Sequence, residues 1–132
     1  MEDNPADVRL VRSALEEYEV AGELVVFRDG EKAIWFIEHV EHSCGPCPDL
    51  IIADLNLPKR PGRHVLECRD RTGRFRGVPA IVLSSSDTVE DRAECDRLGA
   101  NLYVRKPTRL DEFIGIGATF REMLGLPSSF AV

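Results

Sequence analysis

Three short apolar runs, Leu50–Ala53, Ala80–Leu83 and Leu102–Val104, each lead within two residues into a polar or charged side chain. No other feature of the chain constrains its fold as tightly. A run that is apolar on both of its faces suits a strand covered from both sides, which is the situation in a parallel sheet. Helical patterns separate the runs. Asn4-Pro5 opens the first, since Asn caps free amides and Pro fits the first helical position. Val8, Val11, Leu15 and Tyr18 then fall on one helical face. A strand is expected at about Glu23–Phe27, closed by Asp29-Gly30, followed by a helix over Glu31–Val40 with Ile34, Trp35 and Ile37 inward. Further helices are expected at His64–Arg71 and Val89–Leu98, the latter stopped by Gly99. A single last helix carries Leu110, Phe113, Ile114, Gly117, Phe120 and Leu124 on one side. Gly115 and Gly117 weaken that helix by about 1 kcal/mol each relative to Ala, so tertiary packing must hold it. Strands alternating with helices specify an α/β fold, a doubly wound parallel sheet with helices on both faces.

The chain has 132 residues, enough for one domain with a real core, and neither a repeat nor a linker divides it. Its formal net charge of −6 argues against a nucleic-acid footprint, which needs clustered Lys and Arg. The apolar runs are far too short to span a bilayer, and the first twenty residues lack a basic start followed by an apolar block. These features predict a cytoplasmic protein without a membrane segment.

In doubly wound sheets chemistry gathers at the carboxyl ends of the strands. Those ends present Asp54, then Ser84 thirty residues on, then Lys106 after twenty-two more; Glu2 and Asp3 precede the first helix. Clustered carboxylates repel one another, and a hard cation such as Mg²⁺ relieves that repulsion. A carboxylate beside Mg²⁺ can attack a phosphoryl group, whose oxygens then need donors and positive charge of the kind Ser84 and Lys106 offer.

Several motifs, spread over essentially the whole chain, resemble the response-regulator receiver family, whose fold is flavodoxin-like. They are Glu2-Asp3-Asn4-Pro5 with the helix after it, Asp49-Leu50-Ile51-Ile52-Ala53-Asp54-Leu55-Asn56-Leu57-Pro58 with Gly62 beyond it, Val82-Leu83-Ser84-Ser85-Ser86, and Gly99 through Lys106-Pro107. The look is nearest to small stand-alone receivers that accompany phytochrome-type sensor histidine kinases. The resemblance implies that Asp54 is the phosphoacceptor. It implies that Asp3, Asp54 and the backbone carbonyl of Asn56 bind Mg²⁺, with Glu2 helping through water. Ser84 takes the switch hydroxyl position, Lys106 pairs with the phosphate, and Tyr103 is the aromatic switch. Asn56 and Ser86 tune hydrolysis, and the Lys106–Pro107 bond is often cis in the family. The implied partners are a sensor histidine kinase and either a downstream protein or an onward phosphotransfer partner. The last helix is a candidate homodimer face. A single receiver domain over 1–132 with no output domain is expected, and no external substrate.

Family members carry an apolar first strand before the acidic pair, whereas only Met1 stands there in this chain. Three arrangements are open: a start upstream of Met1, a segment such as Phe130-Ala131-Val132 supplied by a second copy, or a rearranged domain with weak Mg²⁺ binding. Two alternatives to a phosphorylation switch follow. One is a receiver-fold interaction module that is not phosphorylated. The other is a thiol or zinc protein working through Cys44 and Cys47, with His39 and His42 just upstream. The Cys44–Cys47 spacing follows a helix rather than opening one, so it lacks the dipole that activates redox thiols. Cys68 and Cys95 read as small helix residues.

Overall fold

The computed structural model describes residues 4–20, 22, 24–40, 48–55, 62–71, 75 and 77–125. It has two compact units, one over Phe27–Lys106 and the other combining Asn4–Val26 with the residues from Pro107 onward.

The first unit contains a sheet of three described strands, β1 (Ile51–Ala53), β2 (Ala80–Ser84) and β3 (Leu102–Arg105), in the order β1-β2-β3. Both pairings are parallel, with Ala53 opposite Val82 and Val82 opposite Tyr103. Every residue of β2 is buried, as its unbroken apolar run requires. Helices α2 (Gly30–Val40), α3 (Gly62–Arg71) and α4 (Val89–Arg97) belong to the same unit. Ala33 and Ile37 of α2 join Val65, Leu66 and Cys68 of α3, the strand residues Ile51, Ala53, Ala80 and Val82, and Phe75 in one core. Ile81 and Leu83, which alternate to the other side of β2, are buried as well. Arg69 lies inside this unit at 4 % exposure and donates to the carbonyls of Val78 (3.2 Å) and Gly99 (2.8 Å). It thereby ties the end of α3 to the approach to β2 and to the glycine that ends α4.

The second unit joins α1 (Pro5–Glu17), α5 (Leu110–Gly115) and α6 (Gly117–Met123). The Asn4 side chain caps α1 by accepting from the Ala6 amide at 2.9 Å. Helix α6 meets α1 at Gly117, where a Cβ would stand 2.4 Å from the carbonyl oxygen of Ala14. Arg121 then donates to the carbonyls of Tyr18 and Glu19 just past the end of α1.

Four expectations need correction. Leu24–Phe27 form no strand: no ladder partner pairs with them among the described residues, and apolar character without a ladder does not hold a strand. Phe27 instead lays its ring against Phe36, with centroids 4.9 Å apart. Asp29 and Gly30 begin a helix rather than closing a strand, since Asp29 Oδ1 accepts from the Lys32 amide at 2.8 Å. The single last helix is two, α5 and α6, interrupted at Ile116 between the glycines, the residues with the least helical preference in the segment. Trp35 faces outward at 60 % exposure, because Ala33 and Ile37 already occupy the buried face of α2. In addition, no described peptide bond is cis, so Lys106–Pro107 takes the trans form.

Candidate functional site

Asp54 sits one residue beyond β1, where the short apolar strand delivers it to the carboxyl edge of the sheet. Its side chain is only 8 % exposed, and a carboxylate removed from water requires a compensating charge or donors. Lys106 provides one. The ladder runs on past β3, with the Lys106 amide donating to the Ser84 carbonyl at 2.7 Å, so that residue is anchored at the same edge. Its ammonium Nζ then reaches Asp54 Oδ2 at 2.7 Å, a charge-assisted hydrogen bond. Two residues separated by fifty-two positions are thus joined by the parallel register alone.

Ser84 closes β2 at 0 % exposure, and its Oγ accepts from the amide of Ser86 at 3.2 Å. The Ser86 carbonyl in turn accepts from the Tyr103 hydroxyl at 2.5 Å. The sheet-edge residue and the aromatic residue on β3 are therefore linked through a single residue of the β2–α4 loop. Burial pushes the Tyr103 phenol above its ordinary pKa, against the opposing effect of hydrogen bonds with Ser84 and Ser86.

Sequence reasoning missed the residues around this link. The Ser86 hydroxyl donates to Asp91, and this bond, with a second from Thr88, holds the Asp91 carboxyl below the usual carboxylate range. Arg92 pairs with Asp87 and lies over the Tyr103 ring, 4.7 Å from its centroid. Part of this was legible. Thr88-Val89-Glu90-Asp91 has the spacing of a helix-capping box, and Thr88 Oγ1 does accept from the Asp91 amide at 3.1 Å. The ring contact of Arg92 has no sequence signal.

The structure brings together Asp54 and Lys106 and places Ser84 and Tyr103 in the adjoining chain of hydrogen bonds. Glu2, Asp3 and Asn56 lie outside the described residues, as do His42, Cys44 and Cys47. His39 is described: its Nδ1 donates to the Trp35 carbonyl at 2.8 Å, and its ring stacks on the Trp35 indole. Among the described residues no group of three or more His, Cys, Asp or Glu could hold a metal ion, and no helix is long and apolar enough to cross a membrane. Cys68 and Cys95 are buried and stand outside any disulfide, and the Cys68 Sγ donates to Glu38 Oε1 at 3.9 Å.

A family model for the response regulator receiver domain matches residues 1–116. Response regulator Rcp1 of Synechocystis sp. is 34% identical over 134 residues, covering 98% of this chain and 91% of that protein. The crystal structure of the phosphorylated cyanobacterial phytochrome response regulator RcpA superposes with a TM-score of 0.85 at 34% identity, covering 100% of this chain and 93% of the other. That of the Mn²⁺-bound form of response regulator Rcp1 superposes at 0.82 with 32% identity, over 92% and 88% of the two chains.

Proposed function

This chain belongs to the response regulator receiver family of two-component signalling, and from that premise we propose that it is a phosphorylation switch with Asp54 as its phosphoacceptor. The observation that carries the reading is the buried Asp54 carboxylate held 2.7 Å from the Lys106 ammonium at the sheet edge. The donor is a phosphohistidine of a sensor histidine kinase, of the phytochrome type by its relatives. An Asp54 carboxylate oxygen attacks phosphorus, the phosphorus–nitrogen bond breaks, and the imidazole leaves with the bond's electron pair. The product is an acyl phosphate on Asp54. Lys106 needs only to shift its ammonium from the carboxylate to a phosphoryl oxygen, and the Ser84 hydroxyl supplies a donor to another.

The family's metal fits the donor set in kind. Asp54, with the carboxylates of Glu2 and Asp3 and the Asn56 carbonyl, offers only oxygen, the ligand type hard divalent cations such as Mg²⁺ prefer. Of that set, Asp54 is the one described. When bound, such an ion neutralises charge on the transferring group. The chain's own residues set where the nucleophile sits and which cation faces it. Drawing the Ser84 hydroxyl toward the phosphoryl group would release the Ser86 amide, and with it the anchor of the Tyr103 hydroxyl. The output is then a changed protein-binding surface, read by a downstream protein or an onward phosphotransfer partner. The chemistry is confined to the chain's own phosphoryl group.

Intact-mass measurement after incubation with acetyl phosphate and Mg²⁺ tests this. The wild type is expected to gain one phosphoryl group and Asp54→Asn none. A folded wild type that gains nothing would overturn the proposal in favour of an interaction module that keeps the fold without the phosphorylation cycle.

A further inference from the structure

Helices α2 and α3 enclose a groove of about 410 Å³ that plays no part in the Asp54 chemistry. Glu31, Ile34, Trp35 and Glu38 line it from α2, at helical spacings that place them on one face. His64, Glu67 and Arg71 line it from α3, three and four residues apart and so again on one face. Trp35 is the only tryptophan of the chain. At 60 % exposure it leaves a large aromatic surface in water, widened by the His39 ring stacked on it at 4.1 Å. Among aromatic side chains, tryptophan presents the face that attracts cations most strongly.

The charge around this surface is one-sided. Glu31, Glu38 and Glu67 stand against the single Arg71, and none of the three glutamates forms an ion pair among the described residues. His64 adds a polar position: its Nδ1 is shielded from solvent and has no hydrogen-bond partner among the described residues.

From these observations we infer that the α2–α3 groove is a docking site for an arginine-bearing segment of a partner protein. A guanidinium is flat, so it stacks on the indole while its N–H fork meets a carboxylate from Glu38 or Glu67. A lysine ammonium can use only one of these contacts fully. Nucleic acid and anionic lipid are excluded by the same carboxylates that attract arginine.

The lone tryptophan makes the site its own reporter. The full chain is titrated with a capped peptide carrying two arginines spaced by glycines, following tryptophan emission. A peptide with citrulline in place of both arginines keeps their shape and lacks their charge. A saturable change is expected with the arginine peptide, weakened about fivefold or more by citrulline, by the Glu38→Gln/Glu67→Gln double variant, or by raised salt. An unchanged urea midpoint in the double variant shows that the fold is intact. The inference is overturned by an absence of saturable change, by equal binding of the citrulline peptide, or by wild-type binding in the folded double variant. The titration is run on Asp54→Asn as well, so its outcome is independent of whether Asp54 is phosphorylated.

Discussion

Replacing Gly62 with alanine drives a methyl carbon into the backbone that carries Asp54. A Cβ at Gly62 would stand 2.1 Å from the Asp54 carbonyl oxygen, 2.9 Å from its carbonyl carbon and 3.1 Å from the Leu55 Cα. All three are main-chain atoms, so no side chain can swing away. The two segments must part by roughly 1.3 Å to reach an ordinary contact. That movement also stretches the hydrogen bond from the Gly62 amide to the Leu55 carbonyl, now 2.9 Å. Overpacking of this kind costs about 1–3 kcal/mol, and the strained hydrogen bond about 0.5–1.5 kcal/mol more. Alanine's better helix propensity returns up to about 1 kcal/mol. The net expectation is a loss of about 1–3 kcal/mol, measured as a lower urea midpoint at unchanged slope. The displaced segment is the one that presents the Asp54 carboxylate to Lys106. Phosphorylation by acetyl phosphate should therefore slow about tenfold or more even where the variant is fully folded, since misplacement of about 1 Å can cost a hundredfold. A Gly62→Ala protein with a wild-type midpoint and a wild-type phosphorylation rate would refute the steric argument.

Arg69→Met should cost about 1–2 kcal/mol by urea titration, because the carbonyls of half-buried Val78 and of exposed Gly99 lose the donor that the buried guanidinium supplies, while the apolar stem is kept. Gly115→Ala should raise stability by about 0.5 kcal/mol, since nothing lies within 4 Å of the new methyl and the residue is already helical. Cys95, which burial, and then Asp91 and Glu94, push up to about 11 from 9.0, should resist alkylation in the native protein at pH 8 and react once unfolded. Its raised pKa means that the folded state holds the proton more tightly than the unfolded one. The associated stability is present in full below pH 9 and is lost as the pH climbs through about 11, which a series of urea midpoints against pH would record.

The sequence determined the layers of the first unit. The runs at Leu50–Ala53 and Ala80–Leu83 are apolar on both faces, which suits a covered sheet, and Leu102–Val104 extends that sheet with Leu102 exposed and Tyr103 and Val104 half-buried. Their polar successors follow from the same reading, since a strand that ends at the sheet edge must hand the chain to water or to a partner. Asp54, Ser84 and Lys106 were therefore legible as neighbours before any distance was known. Gly62 was legible as a position, but its reason was not: the close approach to the Asp54 carbonyl exists only once α3 has docked.

Tertiary structure decided the rest. The stretch at about Glu23–Phe27 read as a strand, yet a strand is a pairing of two segments, and one segment's composition cannot supply its neighbour. Trp35 read as an inward residue of the helix over Glu31–Val40, beside Ile34 and Ile37. Which face of α2 turns inward depends on what α3 and the sheet offer, and Ala33 and Ile37 fit there instead. Gly117 read as a weakness in a helix. In the packed second unit it is the point where α6 crosses α1 closely enough to exclude a side chain. The contacts of Arg69, and of Arg92 with Tyr103, join residues 9 to 30 positions apart or more loosely still through a ring face. Local pattern reaches about one helical turn or one strand alternation, and contacts made across greater spans are set by how the elements pack.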